Sequence, residues 1–222
     1  MLTCYDLFDL SRVSPNLRPL LEVTRPWEVL AKLDAFCTEI PDQRLGEVHP
    51  TAVLVGNVYL EAGAKVGPHA LIEGPAWIAA GAEVGHGAYL RGGVVLAAGA
   101  KVGHATEVKR ALFLEGAKAP HFNYVGDTVL GRGVNLGAGV KLANLKTFGD
   151  TIEVAGESTG LRKFGAALGD GVSIGCNAVT APGTIVGPRT IIYHGATVRG
   201  VVPADVVVKL KQPLQTVPRR DP

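Results

Sequence analysis

The sequence predicts an all-β chain wound as a parallel β-helix, and three observations predict it. Every sixth residue is aliphatic through Val48, Leu54, Leu60, Val66, Ile72, Ile78, Val84, Leu90, Leu96, Val102, Val108 and Leu114. A period of six is a multiple of the strand period of two, so these side chains return to one face; at helical pitch they would drift around the axis. Glycine follows the aliphatic residue at Val66-Gly67, Val84-Gly85 and Val102-Gly103, the mark of hexapeptide coils. The composition also fits: 47% hydrophobic, 6% aromatic and 29 glycines supply small aliphatics for a narrow prism and residues for its corners.

Residues 1–47 contain no hexads. Trp27, Leu30, Leu33, Cys37 and Ile40 recur at helical spacing behind Thr24 and Pro26, which predicts a short amphipathic helix. Its expected role is a cap over the open end of the coil, whose bare strand edges need cover. The coil is expected over 48–203. Its register breaks near Ala119 to Asn123 and resumes four residues out of phase, with Tyr124, Leu130, Leu136 and Leu142 inward. An insertion over about 143–167 carries Thr151 to Val154 followed by Gly156, read as a projecting hairpin that serves as a substrate lid or a contact to a neighbouring subunit. Leu168, Ile174, Thr180, Val186, Ile192 and Val198 then resume the repeat. At three hexads per turn this gives about seven turns, each about 4.8 Å above the last. The coil is taken as left-handed from the hexapeptide signature, against the usual crossover rule. Residues 204–222 form a C-terminal arm that becomes proline-rich.

The formal charge of +2 comes from mixed signs with no basic block, so nucleic acid is not the expected partner. Cys4, Cys37 and Cys176 are odd in number and widely spaced, which fits neither a disulfide frame nor a zinc ribbon. No apolar run reaches membrane-spanning length and the N-terminus lacks a basic start, so a cytoplasmic location without membrane attachment is expected.

Arg91 and Lys109 occupy the same hexad position one turn apart, so they should stack. Like charges at that spacing repel unless an anion joins them, which makes the column a candidate phosphate clamp. The alternative is a solvated face with Glu73 as counter-charge to Arg91. His121 lies in the segment that departs from the repeat. It is the candidate general base, because a neutral imidazole accepts a proton from an attacking amine or hydroxyl; the alternative is a corner shaped by Pro120 and His121. Tyr124, Asn135 and Asn144 lie within two turns and can hydrogen-bond a polar ligand.

These residues also carry a resemblance. His121-Phe-Asn-Tyr-Val-Gly-Asp127 and Gly133-Val-Asn-Leu-Gly-Ala-Gly139, followed by Leu142-Ala-Asn144, resemble the acetyltransferase domain of the bifunctional N-acetylglucosamine-1-phosphate uridyltransferases, across about Gly85 to Val202. The resemblance implies a homotrimer with sites shared between subunits, and acetyl transfer from acetyl-CoA to the amine of a sugar phosphate such as glucosamine 1-phosphate. It makes His121 the base and places Arg91, Lys109, Tyr124, Asn135 and Lys163 on the sugar phosphate. It puts Ala138, Asn144, Cys176, His194 and Lys211 at coenzyme positions, with Cys176 replacing a serine, His194 an alanine and Lys211 an arginine. Leu145 stands where a tyrosine is usual, and Asn144-Leu145 with a long loop is more like the archaeal-type sugar-phosphate acetyltransferases. Nothing resembles the glycine-rich nucleotide loop of the uridylyltransferase half, so a stand-alone form is expected.

Two other functions compete. His86 and His104 are 18 residues apart and should stack, as toward a zinc site of the γ-carbonic anhydrase type, although catalytic zinc needs a trio and no metal is expected. A hexapeptide coil can also serve as a scaffold without catalysis.

Overall fold

The computed structural model describes residues 2–219, and its core is a parallel β-helix. One face stacks nine strands, from Glu47–Val48 through Lys101–His104 and Lys118–His121 to Val207–Val208. The other two faces join into one fifteen-stranded sheet, because Glu107–Phe113 and Tyr124–Leu130 run unbroken around a corner from the second face to the third. Nine rungs replace the expected seven or so. The coil starts before Val48, with Gln43–Arg44 paired to Tyr59 and Leu60, and ends after 203, with Val207–Val208 paired to Ile191–Ile192. Residues 220–222 of the predicted arm lie outside the described residues.

The register change falls earlier than the sequence suggests. Val108 pairs with Leu90 at a spacing of 18, but Ala111 pairs with Val94 at 17. Between them, Arg110 alone fills the corner that Gly92 and Gly93 fill one rung below, its amide donating to the carbonyl of Gly92. Losing one corner residue flips the next strand. Phe113 therefore points into the coil, and Leu114 packs outside it. For the same reason Val125 is inward and Tyr124 outward, reversing the expectation for Tyr124. Leu130, Leu136, Leu142, Leu168, Ile174, Val186, Ile192 and Val198 are inward as expected. Val48 is more exposed than the repeat implies, because no rung lies beneath it.

The N-terminal segment does not cap the end of the coil; it lies along the third face. The reason is compositional: outward residues there, among them Trp77, Val95, Leu112 and Val129, are apolar and need cover. Cys4, Leu7, Trp27, Leu30, Leu33 and Cys37 supply it, the last three from the helix Val29–Thr38. Pro26 opens a 3₁₀ turn with Arg25 before it, its amide held by Glu28 at 2.9 Å; Thr24 is not the cap. The hairpin of the insertion forms, pairing Glu153–Val154 with Glu157–Ser158, but it does not project. Ile152, Val154 and Phe164 are buried against the same segment, Trp27 meets Phe164 edge to face, and Arg25 pairs with Glu157 at 2.7 Å.

Candidate functional site

The corner leading from the first face to the second carries one column of backbone. The amides of Ala105, Phe122, Gly139, Asn177 and Gly195 donate in turn to the carbonyls of His86, His104, His121, Ala138 and Cys176. His121 and the predicted coenzyme positions Ala138, Cys176 and His194 thus stand in one line, although they span 73 residues. His121, Cys176 and His194 are exposed, and Ala138 is half-buried. Lower on the column the imidazoles of His86 and His104 stack at 4.8 Å, as their spacing predicts, with their Nδ1 atoms 2.8 Å apart. The main chain of His121 is fixed on both sides: its amide donates to Asn123 Oδ1 at 3.0 Å and its carbonyl accepts from Gly139. Asn123 is buried and also donates to the carbonyl of Gly137 at 2.7 Å, which ties the histidine's rung to the one above.

Around the next corner lies a cleft of about 580 Å³ lined by Lys109, Arg110, Asp127, Leu145, Leu161, Arg162 and Lys163. It unites two predicted phosphate residues, Lys109 and Lys163, with two arginines that sequence reasoning passed over. The dibasic pairs Lys109-Arg110 and Arg162-Lys163 were the available signal. Asp127, 1% exposed, forms the floor. Its oxygens accept from Asn144 Nδ2 at 2.5 Å and Arg110 Nη1 at 3.4 Å, and Lys109 Nζ lies 3.9 Å away. A smaller opening beside it, about 440 Å³, is lined by Tyr124 and Asn144 with Glu107, Phe122 and Lys141. Gly126 permits this closeness, since a Cβ there would sit 2.6 Å from Asn144 Nδ2 and 2.8 Å from Tyr124 Oη. Burial, with the Glu107 carboxylate second, pushes the Tyr124 phenol above its ordinary value, so it remains a neutral donor.

Arg91 and Lys109 do fall in register, following the pairs Leu90 with Val108 and Tyr89 with Glu107. Each has a carboxylate, but the counter-charge of Arg91 is Glu107 at 2.7 Å, not Glu73, which accepts from the Tyr89 hydroxyl instead. The Arg91–Glu107 pair is exposed and such pairs are weak, so an incoming anion displaces it at little cost. Asn135 lies apart from both openings, on the first face in line with Lys118 and Ser173. Lys211 is exposed beyond the last strand.

No family model matches the chain. It is 41% identical over 204 residues to the bifunctional protein GlmU of Methanococcus maripaludis strain C7, covering 90% of this chain and 49% of that protein. It is 36% identical over 184 residues to the bifunctional sugar-1-phosphate nucleotidylyltransferase/acetyltransferase of Sulfurisphaera tokodaii, covering 80% of this chain and 46% of that protein. The chain therefore spans about half the length of the curated relatives it matches. The crystal structure of the Arabidopsis UDP-N-acetylglucosamine acyltransferase overlays with a TM-score of 0.42 and 16% identity, covering 72% of this chain and 69% of that one, a likeness too slight to bear on function.

Proposed function

Since the chain belongs with the acetyltransferase half of the bifunctional sugar-1-phosphate nucleotidylyltransferase/acetyltransferases, we propose that it transfers an acetyl group from acetyl-CoA to the amine of an amino-sugar 1-phosphate. The observation that carries this reading is the alignment of His121 with Ala138, Cys176 and His194 on one corner, with a cleft rich in Lys and Arg around the next. Imidazole, room for a thioester arm and an anion site are what such a transfer requires. Ala138 and Cys176 are small and leave room along that corner for a thioester arm, and Asn144, in the opening lined by Tyr124, offers it an amide. Lys211 approaches the coenzyme phosphates in this arrangement. His121 takes a proton from the amine as it attacks the thioester carbonyl, backbone amides hold the oxyanion, and the coenzyme thiolate leaves and takes up a proton. Arg91, Lys109 and Lys163 hold the phosphate and so orient the amine, with Tyr124 and Asn135 on the sugar. Asn135 lies on another face, so it serves a site completed by a second protomer, in keeping with the trimer we propose. Among the described residues no helix is long and apolar enough to cross a membrane.

The test is direct assay of the purified protein with acetyl-CoA and a panel of amino-sugar phosphates, read as free thiol release. Acetylation of a phosphorylated amino sugar, and not of the free sugar, is the expected result. Arg91→Ala should raise the KM for the sugar phosphate about 10-fold with kcat nearly unchanged; an unchanged KM removes Arg91 from the clamp. If neither acetyl-CoA nor a sugar phosphate raises the Tm, the chain is a scaffold.

Cysteine labelling tests the proposed coenzyme position separately. Burial pushes the thiols of Cys4 and Cys37 up to about 12, whereas Cys176 is exposed. Iodoacetamide should therefore modify one thiol in the native protein, Cys176, and acetyl-CoA should slow that modification severalfold. Equal rates with and without acetyl-CoA would move the coenzyme elsewhere.

A further inference from the structure

The N-terminal helix reaches the anion cleft through one ionic chain. Asp34, at mid-helix in Val29–Thr38, accepts from Nε of Arg110 at 2.8 Å and also from its Nη2. The third nitrogen of that guanidinium, Nη1, reaches Asp127. The Asp34 carboxylate pushes the Arg110 guanidinium further above its ordinary value, so the arginine stays charged between its two acids. Arg110 and Asp127 also take positive φ, 46° and 47°, as seven other described non-glycine residues do, here at the corner where the rung is one residue short. Two non-glycine residues in this conformation need outside support. The insertion departs from the same corner: Asn144 donates to Asp127, and the amide of Gly165, on the return, donates to the Asp127 carbonyl.

We infer that Asp34 is a positioning residue for the anion cleft: by chelating Arg110 it fixes Asp127, and through Asp127 the Lys109 ammonium that lines the cleft. The inference rests on the reading of this cleft as the phosphate subsite. It assigns the N-terminal segment a part in the site that packing alone does not. Without Asp34, Arg110 is free to turn both prongs to Asp127 and displace Lys109 from it.

Charge and geometry make opposite predictions for Asp34→Asn. Removing a negative charge near a cationic cleft strengthens anion binding if only the Coulomb field matters. Loss of positioning weakens it. The half-saturating concentration of inorganic phosphate, read from thermal stabilisation, is the first measurement. In Asp34→Asn it should rise about 3- to 10-fold, and the KM for the amino-sugar 1-phosphate should rise by a similar factor, while kcat and the KM for acetyl-CoA stay within about twofold. Asp34→Glu should restore both values. Arg25→Ala, which cuts the ion pair to Glu157 between the same segment and the hairpin, should lower the Tm without moving the phosphate midpoint. If Asp34→Asn does not fold, Arg110→Lys, which keeps the charge but cannot span both carboxylates, should show the same weakening. Phosphate binding as tight as wild type or tighter in the folded Asp34 variant (or in Arg110→Lys), or equal weakening in Arg25→Ala, overturns the inference. Absence of any phosphate effect on the wild type overturns it together with the cleft assignment. If the phosphate midpoints move as stated but no acetyl transfer occurs, only the proposed reaction fails.

Discussion

His121→Ala is expected to fold, to bind acetyl-CoA and the sugar phosphate, and to lose turnover by about 10²- to 10⁴-fold, the range for a general base. Folding should survive because the imidazole is exposed while the rung is held by the main chain and by Asn123, all of which an alanine preserves. Four histidines share this column, and geometry separates His121 from the two on the rungs below it. The His86 and His104 rings engage each other through Nδ1, and His104 also meets Phe122 edge to face. Among the described residues the His121 ring makes no hydrogen bond, so it is free to serve a substrate. Thiol-release kinetics on the variant, with Tm shifts to confirm that both ligands still bind, make the test. Undiminished turnover would remove the base assignment, and loss of binding in parallel with turnover would make His121 a binding group instead.

The architecture was legible because burial imposes a period of six that nothing else imitates, and His121 through Asp127 carried the resemblance to the acetyltransferases. The reading failed where one corner residue is missing. Counting sixes past Lys109 kept Leu114 inward, whereas the single Arg110 in place of Gly92-Gly93 turns Phe113 in. The flank position of the N-terminal helix was also partly written in the sequence. Ala76-Trp77-Ile78, Val94-Val95-Leu96 and Ala111-Leu112-Phe113 are apolar at three successive positions, which a face open to water would not be. The link from Asp34 to Arg110 was not legible, since it joins residues 76 apart through tertiary packing alone. No hexad count contains it.

The same shortened turn makes Gly103→Ala the substitution with the largest expected cost in stability. Gly67, Gly85 and Gly103 stand in one column beneath Pro120. A Cβ at Gly67 or Gly85 would meet the backbone above at 3.2 or 3.1 Å, a crowding that small shifts relieve. At Gly103 it would lie 1.8 Å from the carbonyl oxygen of Pro120 and 2.4 Å from its carbonyl carbon. Backbone cannot rotate away as a side chain can, so the rung carrying Pro120 and His121 must lift off the one below or the pairing of His104 with His121 must break. Overpacking of this severity costs about 4 kcal/mol or more, against roughly 1 kcal/mol for Gly85→Ala. Denaturant unfolding of the two variants side by side gives the comparison, with Gly85→Ala controlling for alanine's ordinary effect. Because the displaced rung bears the proposed base, kcat should fall in whatever Gly103→Ala protein folds. Equal stability of the two variants would mean that the 17-residue rung is not seated on Gly103 as its pairing requires.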